Sequence, residues 1–522
     1  MNVSIKKILS LLLVVAMAFT AVDTSGLFKL TENVYAGDQN APVNLTFSKS
    51  GNSKTITWNG VNGATGYNIY RSKSRYGTYS KINNSTITYT SYTDSTYGSY
   101  YYKVRTQFNG WESGDSDPIS EDIQLFGNNV YVFDTNDNAS DVQSVLTNIW
   151  NKQEQNQFGS DRYAFFFKPG TYSSSINVKV GFYTQVSGLG TVPTDTTIQS
   201  LTCDARWLGG DSNHNATCNF WRMAENLNVN SSTLWAVSQA VSLRRMKING
   251  NLLLHDNGGW ASGGFLADSV ITGQTQSGSQ QQWLSRNCTW GSWNGQNWNM
   301  VFVGIKNNNT PNEQWDGKIT RVAEAPVVQE KPFLTYTENA GYRVFVPERR
   351  TYATGTSWEN GANGEYISLD NFYVAKPDVD SADTINTALR SGKHLLFTPG
   401  IYKLDKAIEV NNPNTILLGM GLASLQSTNG NECIKISDVD GVKVAGLLFD
   451  AGNKDSATLL KVGETASSKS HTSNPIVLSD VFFRVGGFLQ SNTNSDSCVV
   501  INSNDVIGDN FWVWRADHGN YV

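Results

Sequence analysis

The last stretch of the chain gathers side chains able to bind polar rings and to handle protons: Phe511-Trp512-Val513-Trp514-Arg515-Ala516-Asp517-His518-Gly519. Flat indoles at Trp512 and Trp514 suit stacking on an apolar ring face. Asp517 and His518 can accept hydrogen bonds from hydroxyl groups or place a water molecule. The competing account of Asp517 and His518 is a structural turn, closed by bonds from the aspartate to nearby backbone.

Other candidates are weaker. Asp450 ends Leu447-Leu448-Phe449-Asp450 and Arg484 ends Val481-Phe482-Phe483-Arg484. They read as solvated turn residues, with the lining of one common face as the alternative. Trp207, Trp221, Trp235, Trp260, Trp283, Trp290, Trp293 and Trp298 cluster in the middle of the chain. Most read as core or stacking residues, and some as binding surfaces. Asp256 sits in His255-Asp256-Asn257-Gly258-Gly259-Trp260, where a glycine-rich turn is the simpler account. No phosphate loop, nucleotide fingerprint, Ser-His-Asp set or metal cluster stands out, so no cofactor and no metal are expected.

The elements that must position these residues show up as an internal repeat. Phe165-Phe166-Phe167-Lys168-Pro169-Gly170-Thr171-Tyr172 returns 230 residues later as Leu395-Leu396-Phe397-Thr398-Pro399-Gly400-Ile401-Tyr402. Val186-Ser187-Gly188-Leu189-Gly190 returns as Leu417-Leu418-Gly419-Met420-Gly421. An amphipathic stretch precedes each copy, Asp141 to Trp150 and Asp383 to Arg390. A short helix of this kind can cap the open end of a strand stack, which otherwise exposes apolar side chains and unpaired backbone. After the second cap come short apolar runs separated by Gly, Asn and Asp: 434–436, 442–444, 446–450, 476–478, 481–484, 499–501 and 511–514. Such runs predict the rungs of a parallel β-helix. A jelly roll would need longer strands joined antiparallel.

The Phe-x-Pro-Gly-x-Tyr opening resembles the first rung of pectate-lyase-like domains, and the terminal run resembles the Trp-x-Trp-x-Ala-Asp-His motif of glycoside hydrolase family 55. The resemblance covers residues 130 to 522. It implies two tandem right-handed parallel β-helices, 130–370 and 371–522, and inverting cleavage of laminarin- or curdlan-type β-1,3-glucan. It also implies that Trp512, Trp514, Asp517 and His518 bind substrate. In that family the general-acid glutamate lies beyond this motif, and nothing in the chain up to Val522 matches it. The catalytic residues are therefore unassigned, and the expectation is a second β-helix that is incomplete. The alternatives are a pectate-type polysaccharide lyase, which would need Ca²⁺ carboxylates and a basic residue, and a non-catalytic carbohydrate-binding β-helix.

Upstream, Trp58, the run Gly63-Ala64-Thr65-Gly66-Tyr67-Asn68-Ile69-Tyr70-Arg71, Ser91-Tyr92-Thr93-Asp94 and Tyr102-Lys103-Val104 resemble a fibronectin type III domain over residues 41–120. The resemblance implies a β-sandwich spacer or weak binding module. Before it, Lys6 and Lys7 precede an apolar run from Ile8 to Val22, the layout of a secretory signal. Residues 1–36 are read as that signal, with cleavage after Ala36 or near Ala21, and an N-terminal membrane anchor as the competing account. The expected class is all-β, extracellular and monomeric. A charged fraction of 16% and a net charge of −5 argue against a nucleic-acid partner. The five cysteines, Cys203, Cys218, Cys288, Cys433 and Cys498, are widely spaced. They read as buried thiols, with Cys203–Cys218 as the one pair an oxidising compartment would allow.

Overall fold

The computed structural model describes residues 40–210, 212–306, 309–312, 318–488 and 492–516. It is all-β and divides into two compact units, Met1–Gln124 and Leu125–Val522. In the first unit, Thr46–Ser50, Ser53–Thr57 and Ser91–Asp94 form one sheet. Ser80–Lys81, Gly66–Ser72, Tyr101–Phe108 and Trp111–Glu112 form another, and all pairings are antiparallel. Alternating residues Ile56, Trp58, Tyr67, Ile69, Tyr102 and Val104 fill the space between them. Asp94 accepts bonds from Tyr102 Oη (2.7 Å) and Arg71 Nη1 (2.8 Å), which pins strand ends to the core.

The second unit contains two stacks of parallel strands, each opened by a helix. The helix Ala139–Gln153 starts at Asn138, whose side chain accepts from the Ser140 and Asp141 amides, an N-cap of the preferred type. Its buried face, Val142, Val145, Leu146 and Ile149, lies on the first core with Phe165, Phe167 and Val186. The second helix, Ala382–Arg390, is capped by Ser381 and lays Ile385 and Leu389 on the second core with Leu395, Phe397 and Leu417. Tyr163–Phe167 pairs in parallel with Val130–Phe133 and Thr184–Gly188, and His394–Phe397 with Phe372–Ala375 and Ile416–Gly419.

The two copies of the Pro-Gly motif are the same structure. Tyr172 Oη bonds the carbonyls of Phe133 (2.7 Å) and Lys168 (3.0 Å). Tyr402 Oη bonds those of Ala375 (2.7 Å) and Thr398 (3.0 Å). Each tyrosine also meets a phenylalanine edge-on, Phe167 at 5.0 Å and Phe397 at 5.2 Å. The glycines are required: Gly170 and Gly400 have φ of 138° and 157°, and a Cβ would come within 2.5 Å of Thr135 or 2.4 Å of Pro377. Tyr172→Phe and Tyr402→Phe should each cost about 1 kcal/mol, one buried hydroxyl bond. Denaturant midpoints of the two variants should therefore fall by similar amounts.

The rungs differ from the expected paired short strands. Lys443–Asp450, Ile476–Val485 and Val506–Arg515 are single strands, each bent at one left-handed residue. Those residues, Gly446 (φ 69°), Asp480 (52°) and Asn510 (72°), stack in register. A matching ladder runs through the first stack at Asn226, Arg245, Asp268, Asn287 and Gly304. A second difference lies within 130–370. Residues 325–368 form two small antiparallel sheets, Ala325–Val328 with Arg350–Ala353, and Phe333–Thr337 with Gly341–Pro347 and Gly364–Ser368.

The two stacks pack side by side. Ala164 and Phe166 point out of the first core while Phe165 and Phe167 point in, so Tyr163–Phe167 is buried on both faces. Its outward residues meet Leu396, Leu418 and Ala445 of the second stack and Leu334 and Val344 of the small sheets. Burial on both faces explains the continuous apolar run where a half-exposed strand would alternate.

Candidate functional site

Val506–Arg515 carries Trp512 opposite Phe482 and Trp514 opposite Arg484 of the preceding rung. Both indoles fall on the same side of the strand, as the two-residue period requires, and stack at 4.8 Å with 14° between planes. They close against the first stack: Trp512 lies 4.8 Å from Phe220 and 5.2 Å from Trp221, and Trp514 lies 6.2 Å from Phe158, nearly parallel. The terminal aromatics therefore meet part of the mid-chain tryptophan cluster across the seam between the stacks.

Beside them opens a cleft of about 280 Å³. Trp512 forms one wall, and Phe265 and Leu284 of the first stack form the other; Phe511 and Trp283 also border the cleft, with their rings packed into the second and first cores. Gln239, Gln282, Asn299 and Asn510 supply its amides. Gln239 exchanges bonds with Ser262 (2.8 and 2.9 Å), and Asn510 donates to the Val241 carbonyl (2.8 Å) and to Asp480 (2.8 Å). Gly264 lets the backbone pass against Trp283, because a Cβ there would lie 2.2 Å from the indole. Among the described residues no lining side chain is charged. Aromatic faces with amides, two of them fixed by hydrogen bonds, suit a neutral polyhydroxylated ligand.

Behind the cleft lies a sealed network of charges that the sequence reading did not pick out. Arg244 bonds Asp480 (2.8 Å) and Asp509 (2.8 Å), and Arg286 bonds Asp509 (2.9 Å) and Glu330 (2.7 Å). Lys331 bonds Glu225 (2.8 Å), which also accepts from Gln185 (2.6 Å). Burial alone would raise the Asp480 and Asp509 carboxyls. The facing cations outweigh it: Arg244 and Lys331 hold Asp480 low, and Arg286 with Arg244 hold Asp509 at about 2. These acids stay ionised and fully paired, so they join the two stacks and are poor proton donors. The available signal was a charge inside an apolar strand, as in Val241-Ser242-Leu243-Arg244 and Val477-Leu478-Ser479-Asp480.

Trp512 and Trp514 are thus brought together with a cleft, while Asp517 and His518 lie outside the described residues. The reading of Asp450 and Arg484 as solvated turn residues is corrected. Both are buried, and Arg484 grips Asp450 with two bonds of 2.7 and 3.0 Å. They sit mid-rung, since the chain after each continues into the stack. Asp256 is a buried brace, accepting from the Ala205 amide (3.1 Å) and facing His214 (3.1 Å). No disulfide joins any of the five cysteines; Cys203, Cys288 and Cys433 are buried, and Cys218 and Cys498 are half-buried.

A second polar cluster fastens the loop before Ile476–Val485. The buried His471 ring meets Asp440 through Nδ1 (2.6 Å) and Asp438 through Nε2 (2.8 Å). Both contacts are hydrogen bonds only when both nitrogens carry protons. Burial opposes that charge, but the two carboxylates prevail and raise the imidazole above its usual range. Asp438 is held at about 2 by Ser467, Ser503 and His471, and Asp440 is lowered by His471 and by Lys469, 3.7 Å away. A raised histidine contributes stability in full below its unfolded pKa, about 6.5, and loses it as pH rises through the folded value. The lowered carboxylates set the acid limit, where the contribution is lost as pH falls through their folded values. Hydrogen-exchange protection across 464–475, taken relative to the base-catalysed intrinsic rate, should therefore be greatest at mildly acidic pH and fall in alkali, and His471→Gln should flatten that dependence.

The comparisons with known proteins agree with the fold. Residues 372–522 match the LAM55 pectate lyase-like domain. An exo-β-1,3-glucanase from Streptomyces sp. (strain SirexAA-E / ActE) is 49% identical over 403 residues, 76% of this chain. The chain spans 64% of that relative's length. The solved structure of sacteLam55A from Streptomyces sp. SirexAA-E is 49% identical and superposes with a TM-score of 0.72 over 76% of this chain and 71% of that one. A glutamate-to-alanine variant of sacteLam55A in complex with glucose, 47% identical, matches over the same shares with a TM-score of 0.71. With its twin parallel stacks, its terminal Trp-x-Trp motif and a half-identical relative, this chain belongs to the Lam55 family, glycoside hydrolase family 55.

Proposed function

We propose that this protein acts on β-1,3-glucan as a secreted glycoside hydrolase, with inversion at the anomeric carbon. The observation that carries the reading is the 49% identity to an exo-β-1,3-glucanase over 403 residues. The uncharged, aromatic cleft supports it, because a neutral glucan asks for stacking faces and amides. A uronate polymer would ask for cations or bound Ca²⁺ instead. Inverting hydrolysis needs two carboxyl groups about 6.5–9.5 Å apart. The described lining of the cleft supplies the binding surface; Trp512 and Trp514 are assigned to the substrate, with Asp517 and His518 at the rim.

Residues 1–36 are proposed as the export signal and 41–120 as a fibronectin type III spacer, and the protein is proposed to be a monomer. The deciding experiment offers laminarin and polygalacturonate side by side. Release of glucose with inverted anomeric configuration, read by proton NMR, is the expected result. Ultraviolet-absorbing unsaturated products from polygalacturonate would overturn it in favour of a lyase. Retention on curdlan with no sugar released would favour the non-catalytic binding reading.

A further inference from the structure

Of the eight mid-chain tryptophans, Trp221, Trp235, Trp283, Trp290 and Trp293 are buried and Trp207 is half-buried. Trp260 and Trp298 are 63% and 65% exposed. Single exposed apolar side chains are ordinary, but the placement of these two is not. Trp260 immediately precedes the rung segment that supplies Gly263, Gly264 and Phe265 to the cleft, and Trp298 immediately precedes Asn299.

The register relates them. Ala261 bridges Gln280, and the Trp298 amide bonds the Gln281 carbonyl (2.9 Å). The two indoles therefore stand two rungs apart, with Gln281 and the exposed Gln282 on the rung between. Adjacent parallel strands are about 4.8 Å apart, so the two positions lie about 10 Å apart along the stack and, being two residues out of register, about 7 Å apart along the strands. A short oligosaccharide bridges that distance, with sugar faces on the indoles and hydroxyls on the amides. Among the described residues of the second unit, these are the only tryptophans so exposed.

We propose that Trp260 and Trp298 form a platform at the mouth of the cleft, which holds the part of a β-1,3-glucan chain extending beyond it. The inference rests on the glucan reading above. The platform adds affinity for polymer and none for a ligand short enough to sit inside the cleft.

The test measures binding of laminarin and laminaribiose to the full chain and to W260A, W298A, the double variant and W111A. Trp111 is 47% exposed but belongs to the N-terminal unit, so W111A reports non-specific stacking. Each platform variant should bind laminarin about three- to tenfold more weakly, the effect of losing one aromatic face. The double variant should lose more, laminaribiose binding should be unchanged, and W111A should match wild type. Because both side chains are exposed, thermal midpoints should stay at the wild-type value, which separates loss of binding from loss of fold. Wild-type affinity for laminarin in the double variant would overturn the platform and leave the glucan reading intact. Failure of the wild-type chain itself to bind laminarin would overturn the glucan reading, and the platform with it.

Discussion

Asp480→Ala should destabilise the second unit by about 3–5 kcal/mol, the usual cost of removing one partner from a buried ion pair. Asp480 is completely buried and faces Arg244, Lys331 (3.5 Å) and Asn510 together. Its loss leaves Arg244 with Asp509 and, at 4.0 Å, Glu330, and leaves Lys331 with Glu225, among side chains that are almost fully buried. Two milder variants separate the causes. Asp480→Asn keeps a side chain tolerant of φ 52° and keeps an acceptor for Arg244, so it should cost less than alanine. Asp480→Gly removes the charge but relieves the backbone, and should be about 1 kcal/mol less damaging than alanine. Denaturant unfolding monitored by tryptophan fluorescence measures all three. An alanine variant as stable as wild type would mean that the network does not join the stacks. The pH dependence has a definite sign. Asp480 and Asp509 are lowered, so their contribution is complete above the ordinary carboxylate range. It is lost as pH falls toward about 2, the value at which Asp509 is held.

The repeat that locates both stacks was legible because its chemistry is local. A Phe, a Pro-Gly turn and a Tyr at fixed spacing allow the hydroxyl to reach back to two carbonyls, and this happens identically at Tyr172 and Tyr402. The helices were legible from one apolar face each. What escaped was set by residues far apart in sequence. The rung bends were invisible because Gly446, Asp480 and Asn510 stand singly between apolar runs, and Arg245 is not a residue that announces a left-handed turn. One bent strand therefore looked like two short ones. Asp450 and Arg484 looked solvated for the same reason: each stands at the end of an apolar run, and only the next rung shows that they face one another. The cleft amides carried no signal at all. Nothing in the sequence singles out Gln239, Gln282 or Asn299, which only the stack brings together.

Trp512→Ala should weaken glucan binding by about tenfold or more, a larger effect than either platform tryptophan, because this ring is a wall of the cleft itself. Its indole also rests on Phe220, Trp221 and Trp514, so truncation would let those rings shift into the space. The ring is half-buried, and the stability cost should be about 2 kcal/mol, below the 3–5 kcal/mol of a fully buried tryptophan. Trp221 is the comparison: it has no exposed surface, and Trp221→Ala should show the full stability loss. Trp512→Phe keeps an aromatic face at the same position and should recover most of the binding. Titration with laminaribiose and laminarin distinguishes the wall from the platform. Loss of Trp512 should weaken both ligands, since both occupy the cleft. Equal binding of laminaribiose by wild type and Trp512→Ala would show that the stacked indoles serve only to pack the seam, and would move the substrate site elsewhere on the stacks.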